Sequence, residues 1–451
     1  MRIIRACREL GIETVAIYSE ADRHSPHLKQ ADRIVCIGPA RSEESYLNMD
    51  AILQAAEQYE CQALHPGYGF LAENALFAER CWQQKITFIG PPPHIIRLMG
   101  DKLTAKRTMR AAGLETIPGS EALLADVEEA ATVARDVGYP VLLKATAGGG
   151  GKGMRLCRDE DELRRSFVEA TLEAEKAFGH PGLYLEKVIQ GGRHIEFQVL
   201  ADAYDQVIHL GERECSIQRN HQKLVEESPS PVIDAVVRSR LGEQVVRAMR
   251  AIGYRNAGTV EFLRDPEGRL YFMEMNTRLQ VEHPVTEMVT GIDLVKEQIR
   301  IAAHHRLDLC QEDVTWHGHA IECRINAEDP DHDFRPDPGR ITTFVPPSGS
   351  PLGEVRLDTH VEEGYTIPPF YDSMIGKLIV HAPTRPAAIT AMTEALTQFR
   401  LEGIRTTIPL HQRIMASDEF IAGNYDITFL DRLLAMEPAM TSSEGPVSEG
   451  A

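Results

Sequence analysis

The sequence predicts a multidomain α/β and α+β fold, and three observations carry that reading. At 451 residues the chain is longer than one hydrophobic core usually organises, so two or three domains are expected. Residues 1–90 alternate helix-like stretches with short apolar strands, the pattern of a doubly wound parallel sheet. Residues 258–284 read instead as a β-hairpin, with Val260–Leu263 and Leu270–Met275 flanking the turn tetrapeptide Asp265-Pro266-Glu267-Gly268.

Composition narrows the function classes. Hydrophobic content of 43% and charged content of 25% are those of an ordinary globular protein. No apolar run approaches the roughly 20 residues needed to span a membrane, and the N-terminus lacks the pattern of a secretory signal. A net charge of −19 argues against a nucleic-acid partner, which favours a basic face. The eight cysteines include no CxxC pair, so neither a zinc site nor a disulfide framework is suggested. A cytoplasmic protein with reduced thiols is expected; Cys215 alone lies in a charged, site-like stretch.

In the first region Arg2–Leu10 reads as a helix stopped by Gly11, and Thr14–Tyr18 and Ile34–Ile37 read as strands. Asp50–Glu57 looks helical, Ala63-Leu64 leads into His65-Pro66-Gly67-Tyr68-Gly69-Phe70, and Ile86–Ile89 ends at Gly90 and three prolines. A doubly wound sheet normally opens with a strand, and none precedes Arg2. Beyond the prolines, Lys102 opens a helix that ends at Gly113, and Asp126 with Glu129 makes a capping-box pattern for another.

Pro140–Ala145 is an apolar strand carrying Lys144, followed by the run Gly148 to Gly153. Gly148, Gly150 and Gly153 satisfy GxGxxG, but a dinucleotide fold needs a helix immediately afterwards, and Met154–Cys157 alternates like a strand. Lys152 is followed by glycine rather than Ser or Thr, which excludes a Walker A loop. Strand, glycine loop, strand describes a hairpin whose backbone N–H groups close over phosphates, a mobile lid.

Leu183–Ile189 and the alternating Arg193–Leu200 are further strands, and the polar run Glu212–Pro229 reads most simply as a solvated loop. Asp234–Ile252 has core residues at helical spacing. In the hairpin a four-residue loop sets Glu261 opposite Phe272, with Glu261, Glu274 and Asn276 on one face. Two carboxylates and an amide in apolar strands are costly without a positive group between them, and a hard divalent cation suits that donor set. Past residue 330 come strands at Arg340–Val345 and Met374–His381 and a helix at Pro386–Arg400.

Taken in order, Gly148–Gly153, Glu186-Lys187, Arg193–Leu200, Gln218–Glu227 and Glu274–Pro284 resemble the ATP-grasp enzymes, in the spelling of biotin carboxylase. His65–Asn74, Ile325–Pro330, Pro338-Gly339 and Tyr371–Leu378 extend the resemblance over Arg2 to about Leu434. It implies an N-terminal α/β domain at 1–99, an ATP-grasp domain at 100–330 with a lid at about 116–188, and a C-terminal mixed α+β domain at 331–436. A disordered tail at 437–451 is expected from its small, polar composition.

The resemblance also implies roles. Lys102, Lys144, Gly149, Gly150 and Gly151 would meet ATP phosphates; Glu186 and Lys187 the adenine; His194, Gln218 and His221 the sugar and tail. Glu261, Glu274 and Asn276 would hold Mg²⁺, with Mn²⁺ as a substitute, and Lys223, Arg278, Gln280, Val281 and Glu282 would form a bicarbonate pocket. Glu282 matches the general base, and Arg278 and Arg356 match arginines near biotin. No Ala-Met-Lys-Met attachment site occurs, so the expected substrate is biotin on a separate carboxyl carrier protein, with carboxyltransferase subunits as partners and a homodimer as the assembly.

The family opens with a strand and an Asn-Arg-Gly-Glu turn that are absent ahead of Arg2. A longer chain carrying them is expected to melt higher, and equal melting temperatures would refute this. Two other readings stay open: an ATP-grasp ligase joining a carboxylate to an amine, and a nucleotide-binding regulator without turnover. A ligase of the first kind does not need the Arg278–Glu282 pocket; an NAD-linked dehydrogenase ranks last.

Overall fold

The computed structural model describes residues 1–145, 154–178 and 182–435; Gly149, Gly150, Gly151 and the 437–451 tail lie outside the described residues. The chain opens with helix α1 (Arg2–Glu9), then parallel strands β1 (Val15–Ser19) and β2 (Arg33–Gly38). Strands β3 (Ala63–Leu64) and β4 (Thr87–Phe88) make a second parallel pair. The parallel character matches the sequence pattern, but the four strands form two separate two-stranded sheets rather than one. Helix α1 lies against α2 (Leu294–Ala302), where Ala6 joins a core with Leu294, Val295 and Ile299.

Strands β5 (Val141–Ala145), β6 (Met154–Cys157) and β7 (Leu183–Lys187) form a small antiparallel sheet with β5 at its centre. Ala130, Ala131 and Ala134 of the Val127–Val137 helix close a core of their own with Val141, Leu143 and Leu185. That helix starts where the capping pattern predicts, with the Asp126 carboxylate accepting from the N–H groups of Glu128 and Glu129.

The molecule is built on one eight-stranded antiparallel sheet. Its members are β8 (Arg193–Ala201), β9 (Val207–Arg219), β10 (Gln222–Ser228), β11 (Asn256–Arg264), β12 (Leu270–Asn276), β13 (His319–Asn326), β14 (Glu354–Thr359) and β15 (Met374–Ala382). The strand order is β12-β11-β8-β9-β10-β13-β15-β14, so the sheet runs unbroken across residue 330, where the sequence places a domain boundary.

Strand alternation sorts residues to two faces. Ile195, Phe197 and Val199 of β8 and Val260 and Phe262 of β11 pack on Leu241, Val245 and Met249 of helix α3 (Ala235–Ala251). The intervening His194, Glu196, Gln198, Thr259 and Glu261 turn to the other face.

Glu212–Pro229 corrects the sequence reading. It is not the solvated loop that such runs often are but the C-terminal part of β9 and all of β10, joined by a tight turn at Asn220 and His221 with φ of 49° and 66°. Several of its acids have partners far away in sequence. Glu227 accepts from Arg385 Nε at 2.7 Å and from Tyr425 Oη, and lies 2.5 Å from His319 Nε2. Burial pushes the Glu227 carboxyl up, but His319 and Arg385 more than offset it and hold it down at about 2.

A depressed carboxylate stabilises the fold above its unfolded value near 4.5, and that stabilisation is lost as pH falls through about 2. The shift corresponds to about 3 kcal/mol at 1.36 kcal/mol per unit. Glu227→Gln is expected to unfold at lower urea at pH 7 and to lose less stability than wild type between pH 5 and pH 3. Parallel pH dependences in the two proteins would refute the assignment.

Candidate active site

Register brings charges together in a row. Glu274 of β12 pairs with Glu261 of β11, Glu261 with Glu196 of β8, and Glu196 with Arg213 of β9. The hairpin differs by one step from the expected register. Its loop closes at Arg264↔Leu270 because the Asp265 carboxylate accepts from Arg269 N, Arg269 Nε and Tyr271 Oη. A bulge at Met273 then restores the phase, so Glu261 faces Glu274 directly and Phe272 faces Phe262 in the core.

Three carboxylates in such a row need cations, and Lys223 of β10 is the first. Its Nζ donates to Glu196 Oε2 at 2.6 Å, Glu282 Oε1 at 2.6 Å and Glu261 Oε1 at 3.1 Å. Arg213, fully buried, donates from Nε to Glu196 Oε1 at 2.5 Å and from Nη1 to Gln198 and Thr286. Burial alone discharges a lysine; here Glu196, Glu261 and Glu282 reverse that and push Lys223 well above its ordinary value.

Glu282 sits at the end of the loop after β12, directly before helix α4 (His283–Thr290). Burial pushes its carboxyl up, but Lys223, Arg324 and Arg213 together hold it well below the carboxylate range. Arg324 of β13 donates from Nη2 to Glu282 Oε2 at 2.9 Å and from Nε to Glu226 Oε1 at 2.6 Å. The loop is braced around it. Arg278 donates to Glu73 Oε2, Gln280 Oε1 and Asn276 Oδ1, each at 2.9 Å, and Lys377 donates to the Val281 carbonyl at 2.6 Å.

Glu261 also accepts from Asn276 and Gln280, both at 2.8 Å on Oε1, and His194 Nε2 lies 3.0 Å from its Oε2. Glu274 has far less: Lys102 Nζ stands 3.9 Å away. Burial and the facing Glu261 push the Glu274 carboxyl up, so this pair suits a hard divalent cation. Gln218 Nε2 lies 2.8 Å from His194 Nδ1, while His221 is exposed at the β9–β10 turn.

Other sequence candidates stand apart from this centre. Lys144 and Lys106 both pair with Glu186 on the small sheet, Lys106 at 2.7 Å. Lys187 donates to the carbonyls of Val137 and Gly138 at a helix end. Arg356 is held by Glu287 at 2.8 Å and Asp358 at 2.6 Å, not by Glu282. Cys215 is buried beside Glu196, and its thiol is pushed well up by burial first and by that carboxylate second, which makes it unreactive. Residue-type reasoning missed Arg324, Glu196 and Arg213; polar residues alternating in β8, β9 and β13 were the available signal.

Paired carboxylates on a large antiparallel sheet, together with a small three-stranded sheet carrying Lys144 and Glu186, suit the class of ATP-grasp enzymes. Family models agree over nearly the whole chain: "Biotin carboxylase, N-terminal domain" at 1–96, "Carbamoyl-phosphate synthase L chain, ATP binding domain" at 101–310, and "Biotin carboxylase C-terminal domain" at 322–432. The biotin carboxylase of Nostoc sp. is 57% identical over 433 residues, covering 96% of each chain. Biotin carboxylase 1 of Bacillus subtilis is 55% identical over 432 residues, covering 96% of this chain and 95% of its own. The biotin carboxylase domain dimer of Hydrogenobacter thermophilus 2-oxoglutarate carboxylase, solved with MgADP, ADP and bicarbonate, superposes with TM-score 0.91 at 52% identity, over 96% of this chain and 94% of that one. The chain belongs to the biotin carboxylase family and, with it, to the ATP-dependent ligases.

Glu196→Ala removes the anion shared by Arg213 and Lys223. An uncompensated buried charge costs about 3–5 kcal/mol, so the urea midpoint is expected to fall accordingly. A loss under about 1 kcal/mol would show that the ion row is not holding the sheet together.

Proposed function

We propose that this chain carboxylates biotin on a separate carrier protein, using ATP, Mg²⁺ and bicarbonate, as the first half-reaction of a multi-subunit acyl-CoA carboxylase. The observation that carries it is Glu282, kept ionised between Lys223 and Arg324 and next to the Glu261–Glu274 pair. An ionised carboxylate beside two fixed cations is suited to take a proton from an anion that those cations bind.

In this reading bicarbonate sits against Lys223, Arg278, Gln280 and the Val281 backbone. Glu282 takes its proton, and the oxygen so freed attacks the γ-phosphorus of ATP as the bond to ADP breaks. Carboxyphosphate results. Its breakdown gives CO₂ and phosphate; the phosphate takes the N1 proton of biotin, and N1 then attacks CO₂. Cations beside the ureido oxygen stabilise the enolate. Arg324, bonded to Glu282, and Arg278, bonded to Asn276 and to Gln280 of the same loop, would serve this role, whereas Arg356 is engaged with Glu287 and Asp358.

Glu261, Glu274 and Asn276 would hold Mg²⁺, or Mn²⁺ in its place, supplying charge neutralisation for in-line phosphoryl transfer. Lys102 and Lys144 would take the phosphates, Glu186 and Lys187 the adenine, and His194, Gln218 and His221 the sugar and tail. We also propose a cytoplasmic homodimer working with carrier and carboxyltransferase subunits. Among the described residues no helix is long and apolar enough to cross a membrane.

The test is ADP release from Mg-ATP and bicarbonate, with and without free biotin. Stimulation by biotin is expected, with a fall of about 10²–10⁴ in kcat for Glu282→Gln and ATP binding retained. Biotin-independent turnover would overturn the function, and full activity of the variant would overturn the base.

A further inference from the structure

Behind Arg324 lies a pair of carboxyl groups that the proposed reaction does not use. Glu226 of β10 and Glu322 of β13 are direct cross-strand partners, and both are fully buried. Of their four carboxyl oxygens only Glu226 Oε1 has a donor, Arg324 Nε at 2.6 Å. Glu226 Oε2 and both oxygens of Glu322 have no hydrogen-bond partner among the described residues.

The cations near Glu322 are committed elsewhere. Lys377, from β15, donates to the Val281 carbonyl, and Arg324, on the same strand as Glu322, is divided between Glu226 and Glu282. Glu282 adds a further negative charge from the loop above. Two fully buried carboxylates facing each other across adjacent strands, with one shared guanidinium, cannot both be ionised.

We propose that Glu226 and Glu322 share a single proton, resting on Glu322, and that the pair is a positioning device that fixes Arg324 against Glu282. A protonated Glu322 supplies the donor that Glu226 Oε2 lacks, leaving Glu226 as the anion that anchors Arg324. A second full charge on Glu322 would pull the guanidinium away from Glu282. Burial acts in the same direction, pushing Glu322 well above the carboxylate range despite Lys377 and pushing Glu226 up to about 7. The role in turnover rests on the functional reading above; the shared proton does not.

The infrared difference spectrum of the unliganded full chain, wild type minus Glu322→Gln, reads the proton without any turnover. A carbonyl band of a protonated carboxylic acid, shifting on deuteration, is expected; a flat difference spectrum overturns the shared proton. For Glu226→Gln, kcat of biotin-stimulated ADP release is expected to fall about a hundredfold, the scale of a misplaced catalytic group, with the KM for ATP within about twofold. Glu226→Asp, which keeps the charge, is expected to recover part of that loss. Unchanged kcat in Glu226→Gln, or no recovery in Glu226→Asp, overturns the positioning role. If Glu226→Gln fails to fold, the infrared spectrum still decides the proton. A chain with that band but without biotin-dependent turnover would overturn the functional reading alone.

Discussion

Lys223 bonds three carboxylates that belong to different parts of the fold: Glu196 in the middle of the sheet, Glu261 in the hairpin, and Glu282 at the end of the loop that follows it. Each ion costs several kcal/mol to remove from water, and only close geometry returns that energy. The charges alternate in sign as a result, from Arg213 through Glu196, Lys223, Glu282 and Arg324 to Glu226. The last two members stand on β13 and β10, which carry the sheet on toward its C-terminal strands. The site is therefore complete only when those strands have joined the sheet.

This arrangement sets what Glu282 can do. The cations that keep it ionised also lower its basicity, so it is ready to accept a proton but a weak acceptor at rest. In the proposed reaction an anion bound by Lys223 would take over part of that cationic field, and the carboxylate would become more basic as its cations turned to the ligand. Base strength would then be supplied by substrate arrival rather than by a permanently raised pKa.

Much of the fold was legible because it is locally encoded. The capped helix after Asp126, the strand with Lys144, the core spacing of the Asp234–Ile252 helix and the turn at Asp265–Gly268 all follow from neighbouring residues. What escaped is non-local. Glu212–Pro229 looks solvated because its charges are paired with residues far away in sequence: Glu227 with His319, 92 positions on, and Glu226 with Arg324, 98 positions on. Polarity alone does not distinguish a buried ion network from a surface. Arg324 was hidden for the same reason, standing 42 residues beyond Glu282 in a strand whose other polar residues include the buried Glu322. Arg356 attracted attention by resemblance, yet it is bonded to Glu287 of α4, 69 positions away, and to Asp358 on its own strand. The first sheet, read in the sequence as lacking its usual opening strand, is divided into two parallel pairs.

The hairpin shows how one residue of register becomes chemistry. In an unbroken pleat Phe272, Glu274 and Asn276 share a face, and an aromatic ring would lie among the ions. Leaving Met273 unpaired lets Phe272 turn into the core against Phe262 while Glu274 and Asn276 remain on the charged face. The same step moves Glu274 from a diagonal neighbour of Glu261 to its direct partner. Two carboxylates then stand across adjacent strands with the outer one weakly neutralised, since Lys102 reaches no closer than 3.9 Å. Glu261 is already saturated by Lys223, Asn276, Gln280 and His194, so a cation arriving there binds mainly through the charge that Glu274 has left over. The bulge thus leaves an under-neutralised carboxylate at this end of the row, the charge the proposed Mg²⁺ would use, while Lys223 bonds Glu282.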